Sequence, residues 1–489
     1  MIKIKVKPED FIVEERADIS VAQTGDFCVY LLKKRGWNTV DVLKNLSRKL
    51  NLPSSDFSYG GKKDKYALTS QFITIARQGY KQTPPPVSPP CEGGDEGGVK
   101  KPWVMHRNSR FPSAVNSAEI ERLIPTKLDK ENYSLSFVGL MDRPMGPDLI
   151  KGNKFHIVIR NLTENELKSS LGEIECVKKD GYSNYFDDQR FGSFDGRQGF
   201  VAEKIIKKHY NGALKIYFSR IHPEDSKDEK EHRKFLYENW GNWQACLTRA
   251  TGRFEKEAFS YLEKHPKAFV PILQRISHEE MVLFFSAYQS HLWNEVLRKI
   301  IRSVVNHDLM YRNFKHSSSP LPALSEVEGM GEAEVGVKEK GRSSSLCSSH
   351  QGRDYSNMNS RQRQPNLKVS RGIAGDYLFY THLDNKDKEY LSRLIIPMPA
   401  SNIRMPDTYT ETLYSEVLKE NDIKSPMFNM RKIRQAFFKG IERNAVVIPE
   451  ELFFDYSDDE IYQGKKKLVL DFFLPRGCFG TIFIKRIFS

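Results

Sequence analysis

The sequence predicts an α+β protein. One sheet domain is formed by both ends of the chain, and a second domain with a helix-rich centre is inserted between them. Three observations point there. The first 80 and last 25 residues carry period-2 alternation, the centre from about residue 197 carries helical spacing, and 489 residues exceed one ordinary domain. A hydrophobic fraction of 39%, with 30 Phe and 21 Tyr, supplies enough apolar surface for real cores.

At the start, Ile2, Ile4 and Val6 alternate with lysines and predict a strand, interrupted at Pro8 and resumed from Phe11 to Val13. Phe27 to Leu32 predicts a second strand. Val40, Leu43, Leu46 and Leu50 then recur at helical spacing, with Thr39 as the expected N-cap and Pro53 just beyond the end. Phe57 to Tyr59 and Gln71 to Ile75 predict short strands flanking a polar turn, and residues 154–160 alternate again. Phe200, Val201, Ile205 and Ile206 open the helical centre. Phe284 to Val305 predicts a long helix through Leu292, Trp293, Val296, Leu297, Ile300 and Ile301. Near the end Leu468, Leu470 and Phe472 alternate, Pro475-Arg476-Gly477 turns the chain, and Ile482 and Ile484 alternate as a further strand. The terminal strands are expected to pair into the first sheet. Residues 81–118 and 316–366, rich in Pro, Gly and Ser, cannot offset their ordering entropy and are expected to be disordered insertions.

Lys and Arg total 76 against 63 Asp and Glu, a formal charge of +13. An excess of this size suits a polyanionic partner, and a generic basic surface is the plainer alternative. No run approaches the ~18 apolar residues of a bilayer span, and Met1 to Lys7 has no leader-like apolar core. Neither a membrane nor a secreted protein is expected. The six cysteines lack zinc-ribbon or CxxC spacing and suit a reducing compartment, hence the cytoplasm. The 12 histidines show no HExxH or HxH pattern, so no metal is expected.

Three polar clusters stand out. In Gly60-Gly61-Lys62-Lys63-Asp64-Lys65-Tyr66-Ala67, two glycines permit a tight turn and three lysines surround one carboxylate. Nearby cations favour the ionised form a nucleophile requires, whereas a solvated turn with incidental charge is the commoner meaning of such a run. Asn184-Tyr185-Phe186-Asp187-Asp188-Gln189-Arg190-Phe191-Gly192 interleaves aromatics with Gln and Arg. It reads equally as a base-stacking surface or as an aromatic corner with Arg190 bridging carboxylates. Lys151-Gly152-Asn153-Lys154-Phe155 reads first as a turn before a strand, and alternatively as an amide and a ring facing a base.

Taken in order, these clusters resemble the TruD family of tRNA pseudouridine synthases. Ile4-Lys5-Val6-Lys7-Pro8-Glu9-Asp10-Phe11-Ile12-Val13-Glu14-Glu15 is similar to the family's opening motif, and Lys34-Arg35-Gly36-Trp37-Asn38-Thr39 to its next. The stretch Gly61 to Gln71 resembles the catalytic motif, whose Asp is the nucleophile. Gly152 to Phe155, Asn184 to Gly192, and Ser286 to Asn294 in the inserted domain also match, and Leu474 to Thr481 resembles the closing motif. Cys478, Phe479 and Gly480 stand where Ser, Tyr and Ala are usual.

The resemblance implies a V-shaped pair of domains. Residues 1–190 and 441–489 would form the catalytic pseudouridine synthase domain, and 191–440 the inserted α/β TruD domain. It implies an isomerase acting on tRNA, at uridine 13. Such an isomerisation involves no redox change or group transfer and so no cofactor, and a monomer is expected. Asp64 would act at C1′ of a flipped-out uridine, as nucleophile or in a glycal route, with Lys5 as its cationic partner. Phe155 would stack on the base and Asn153 would bond it or position Asp64. Lys63, Gln189, Arg190 and Phe191 would complete the substrate cleft. The competing reading is a non-catalytic RNA-binding or RNA-folding protein using the same basic cleft.

Overall fold

A computed structural model describes residues 2–77, 132–222, 224–317, 366–430, 433, 438 and 440–489. The stretch 81–118 lies outside the described residues, as does 316–366 apart from its ends. The chain divides into two compact units: Met1–Gly181 with Val447–Phe488, and Tyr182–Val446 with Ser489.

The first unit begins with strands β1 (Phe11–Ala17) and β2 (Phe27–Lys34), helix α1 (Thr39–Leu50), and strands β3 (Phe57–Tyr59) and β4 (Leu68–Ala76). Strands β5 (Tyr133–Met141) and β6 (Ile150–Leu162) and helix α2 (Glu164–Asp180) follow. The chain then builds the second unit around its longest helix, α3 (His278–Asn306), and returns as β7 (Glu450–Asp458), β8 (Lys466–Pro475) and helix α4 (Gly480–Ile487). The eight strands form one sheet in the order β7-β8-β6-β1-β4-β2-β5, with β3 on β4. Strands β1 and β4 are parallel. Strand β8 lies antiparallel to β6 with Phe472 opposite Phe155, so both chain ends share one sheet.

Local sequence explains these elements. In β1 the period-2 pattern buries Phe11 and Val13 on one face and carries Glu15 to the same side. Helix α1 packs Val42, Leu43 and Leu46 onto Tyr30 and Leu32 of β2 and Ile73 and Ile75 of β4. It stops at Asn51, which takes a left-handed conformation (φ 51°) just ahead of Pro53. Helix α2 opens with a reciprocal cap, in which Glu166 N–H donates to Thr163 Oγ1 (3.2 Å) and Thr163 N–H to Glu166 Oε2 (2.9 Å). The buried Arg160 guanidinium on β6 donates to both oxygens of Asp10 (2.8 and 2.9 Å) and to Asp459 Oδ1 (3.1 Å). It ties the segment before β1 to the β7–β8 hairpin.

In the second unit α3 buries Trp293, whose indole N–H donates to the Ile396 carbonyl (3.1 Å). Asn294 exchanges hydrogen bonds with both backbone groups of Phe186 (2.9 Å each). Tyr185 packs against Tyr377 and Phe379, Phe186 against Trp293, and Phe191 against Phe200.

Four local expectations are corrected. Ile2 to Val6 make no strand but only an isolated bridge between Lys3 and Arg160, because Lys5 turns left-handed (φ 58°) and breaks the pleat. Asn38, not Thr39, precedes the first turn of α1, and Thr39 instead turns its hydroxyl to other partners. Gly152 and Asn153 lie inside β6 rather than in a turn, and a Cβ at 152 would stand 2.2 Å from the Leu474 carbonyl oxygen. The glycine thus serves the close approach of β8. Ile482 and Ile484 belong to α4, where Ile482, Phe483 and Ile487 are buried and Arg486 pairs with Glu173 of α2.

Candidate active site

The sheet sets a polar group among apolar rows. Pairing places Glu15 of β1 opposite Asn153 of β6, Lys34 of β2 opposite Thr69 of β4, and Leu32 opposite Gln71. Glu15, Lys34, Thr69 and Gln71 are all buried, so each charge or amide among them needs a partner. The loop between β3 and β4, which carries Gly60 to Ala67, supplies these partners.

That loop has no regular ladder, and buried side chains fasten its backbone instead. The Lys63 N–H donates to Thr39 Oγ1 (3.0 Å), whose hydroxyl donates to Gln71 Oε1 (2.8 Å). Gln71 Nε2 donates to the Gly61 carbonyl (2.9 Å). The Lys34 ammonium donates to the carbonyls of Asp64 (2.6 Å), Trp37 (2.8 Å) and Lys63 (3.3 Å). Burial pushes Lys34 down to about 8, the Asp64 charge opposing that shift and the Lys63 charge adding to it.

The Asp64 carboxylate, thus fixed from behind, is ion-paired with the Lys5 ammonium and accepts the Tyr66 N–H (2.9 Å). Both side chains of the pair remain partly exposed, Lys5 at 20% and Asp64 at 18%. The Lys5 nitrogen also lies 4.4 Å from the centre of the Phe11 ring, a cation–π contact. Next to the pair, the Lys63 ammonium bridges Glu15 (2.6 Å) and Asn153 Oδ1 (2.8 Å). The other Glu15 oxygen accepts the Phe72 N–H (3.0 Å). Three ammoniums (Lys5, Lys34 and Lys63) and two carboxylates (Asp64 and Glu15) therefore meet here, leaving one surplus positive charge.

Asp64, Lys5, Lys63 and Asn153 are thus joined by direct contacts. Phe155 lies two residues along β6 from Asn153, on the same face. Its ring is buried, stacked on Phe472 (5.2 Å, 16°) and edge-on to Phe11 (6.4 Å). Gly480 leaves room for it, since a Cβ there would be 3.1 Å from the ring. Gln189, Arg190 and Phe191 belong to the second unit. Gln189 and Arg190 are exposed and Phe191 is buried. Arg190 bridges no carboxylates; its Nε donates to Ser290 Oγ (3.2 Å) and its guanidinium lies 5.8 Å from the Phe186 ring.

Sequence reasoning missed Glu15, Lys34 and Gln71 as members of this network. A parity signal was available, because Glu15 continues the Phe11–Val13 face and Lys34 continues the Cys28–Tyr30–Leu32 face. A charged residue on a core face demands a buried partner. Among the described residues, one group could geometrically hold a cation: His307, Asp384 and Asp387 in the second unit. The Lys315 ammonium already occupies it, 2.8 Å from Asp384 and 2.6 Å from Asp387.

The comparisons with known proteins agree with one another. A tRNA pseudouridine synthase D from Leptospira interrogans is 27% identical over 492 residues, 99% of this chain and 95% of that protein. One from Aquifex aeolicus is 22% identical over 100% of this chain and 98% of its own length. A crystal structure from Methanosarcina mazei, described as a TruD protein, shares the fold with a TM-score of 0.60 at 20% identity, covering 99% of this chain and 93% of that one. The family described as tRNA pseudouridine synthase D matches residues 1–85, 109–329 and 381–487, most of the sequence. The chain belongs to the TruD family of tRNA pseudouridine synthases.

Proposed function

We propose that this enzyme isomerises one uridine of tRNA to pseudouridine, that the uridine is the one at position 13, and that Asp64 is its nucleophile. The observation that carries the reading is the Lys5–Asp64 ion pair, partly exposed on a turn that buried side chains hold from behind. A carboxylate so fixed can meet C1′ of a nucleotide drawn out of its stack. The Asp64 oxygen attacks C1′, and the N1–C1′ bonding pair leaves with the uracil. The base rotates, C5 attacks C1′ and displaces the carboxylate, the C5 proton passes to solvent, and N1 takes up a proton from solvent. Atoms and electrons balance with no oxidant, reductant or group donor, so the reaction needs no cofactor.

Asn153 turns its amide oxygen to Lys63, which leaves the amide N–H donors for a uracil carbonyl. Phe155 would offer its ring edge as the floor beneath the base. Gln189 and Arg190 would contact RNA from the second unit. The acting species would be a single chain in the cytoplasm. Among the described residues no helix is long and apolar enough to cross a membrane.

The test is tritium release from C5-labelled uridine in tRNA. Wild type releases tritium, and Asp64→Ala releases none while retaining tRNA affinity. Undiminished release by Asp64→Ala would remove Asp64 from the chemistry.

A further inference from the structure

We propose that Lys34 is a positioning residue for the reaction: its buried ammonium clamps the backbone of the Asp64 turn and thereby sets where the carboxylate stands. The proposal rests on the reading of Asp64 as nucleophile given above. Lys34 is the last residue of β2 and is only 1% exposed, so its charge cannot serve solvent or RNA directly. An ammonium has three N–H donors, and the three acceptors around this one are all backbone carbonyls, those of Trp37, Lys63 and Asp64. Two of these belong to consecutive residues of the catalytic turn, and the shortest contact, 2.6 Å, is to Asp64 itself.

The geometry separates two tasks. Lys5 contacts the carboxylate of Asp64, whereas Lys34 contacts its main chain. The other main-chain groups of the turn are held by neutral side chains, Thr39 at the Lys63 N–H and Gln71 at the Gly61 carbonyl, while the Lys63 side chain is tied to Glu15. Lys34 is therefore the charged anchor nearest the reacting group on the backbone side. Without it the Lys63 and Asp64 carbonyls lose their donor, and the peptide between them is free to rotate. Rotation of that peptide swings the carboxylate relative to C1′. A displacement of about 1 Å is enough to cost about 10²-fold in rate.

The experiment compares wild type, Lys34→Met, Lys34→Gln and Asp64→Ala on tRNA. It records single-turnover pseudouridine formation, tRNA dissociation constant and the cooperative thermal melt. Methionine keeps length and apolar packing but donates nothing. Glutamine is neutral and returns two N–H donors. The expected result is a rate about 10²-fold lower for Lys34→Met, a smaller loss for Lys34→Gln, and a tRNA dissociation constant within about twofold of wild type. A purely structural lysine would lower the melting temperature without separating rate from binding in the folded variant. A folded Lys34→Met enzyme with wild-type rate overturns the proposal. So does loss of the cooperative melt in both variants, which would assign Lys34 to the core alone. Should Lys34→Gln alone melt cooperatively, its rate decides in the same way. Activity that survives in Asp64→Ala would instead overturn the nucleophile reading, whatever the Lys34 variants do.

Discussion

Lys5 holds a left-handed backbone at φ 58°, a conformation that costs an ordinary residue about 1–2 kcal/mol. Its ammonium pairs with Asp64 and lies over the Phe11 ring. We expect Lys5→Ala to lower the single-turnover rate by about 10²-fold or more while leaving the melting temperature nearly unchanged, because one partly exposed pair contributes little to stability. A variant at wild-type rate would detach Lys5 from the chemistry. Lys34 predicts a pH effect with a definite sign. The charged groups facing it are Asp64 and Lys63, and Tyr133 is its strand neighbour. Its folded value near 8 lies below the ordinary lysine value of about 10.4, so its charged form is disfavoured by folding, and its contribution to stability rises with pH between the two. Activity moves the other way, since loss of the ammonium proton leaves three carbonyls with two donors. A rate that stays level through pH 9 would contradict this. At this scale Asp64 was legible as a candidate because a carboxylate among lysines in a Gly-rich turn resembles the family's motif. Glu15 and Lys34 were not, because a lone charge in a short apolar run reads as surface until strand pairing shows which face it takes.

At the scale of elements, alternation found β1 and β8 because each has one apolar face against the core, as Phe11–Val13 and Leu468–Leu470–Phe472 show. It failed at α4, where Ile482 and Ile484 alternate within an eight-residue helix. There the docking of Ile482, Phe483 and Ile487 and the Arg486–Glu173 pair decide the outcome. The turn reading of Gly152-Asn153 failed as well, because the deciding contact is made by β8, more than three hundred residues away in sequence. This yields an element-level prediction. Gly152→Ala would drive a methyl group into the Leu474 carbonyl oxygen and the Phe473 ring, 2.2 and 2.5 Å from the added Cβ. Relief requires β6 and β8 to part beside Asn153. The expected loss is about 1–3 kcal/mol of stability, with a fall in activity that outlasts correction for the unfolded fraction. A fully stable, fully active Gly152→Ala enzyme would show that the close approach is dispensable.

For the whole molecule, the expectation that both chain ends share one sheet rested on strand-like ends around a helical centre. The pairing of β8 with β6 realises it. Membership of the TruD family was legible from motifs spread in order along the chain, whereas composition alone offered only the +13 charge. That charge makes a prediction of its own scale. If phosphate contacts dominate binding, raising salt from 50 to 200 mM should weaken tRNA affinity by about 10²-fold. Affinity indifferent to salt would point to recognition that does not depend on the basic excess. The central claim concerns one carboxylate, and pseudouridine mapping of total tRNA after incubation with wild type or Asp64→Ala tests it most directly. Wild type should place a new pseudouridine at a single tRNA position and the variant none. The same modification made by both proteins would contradict it.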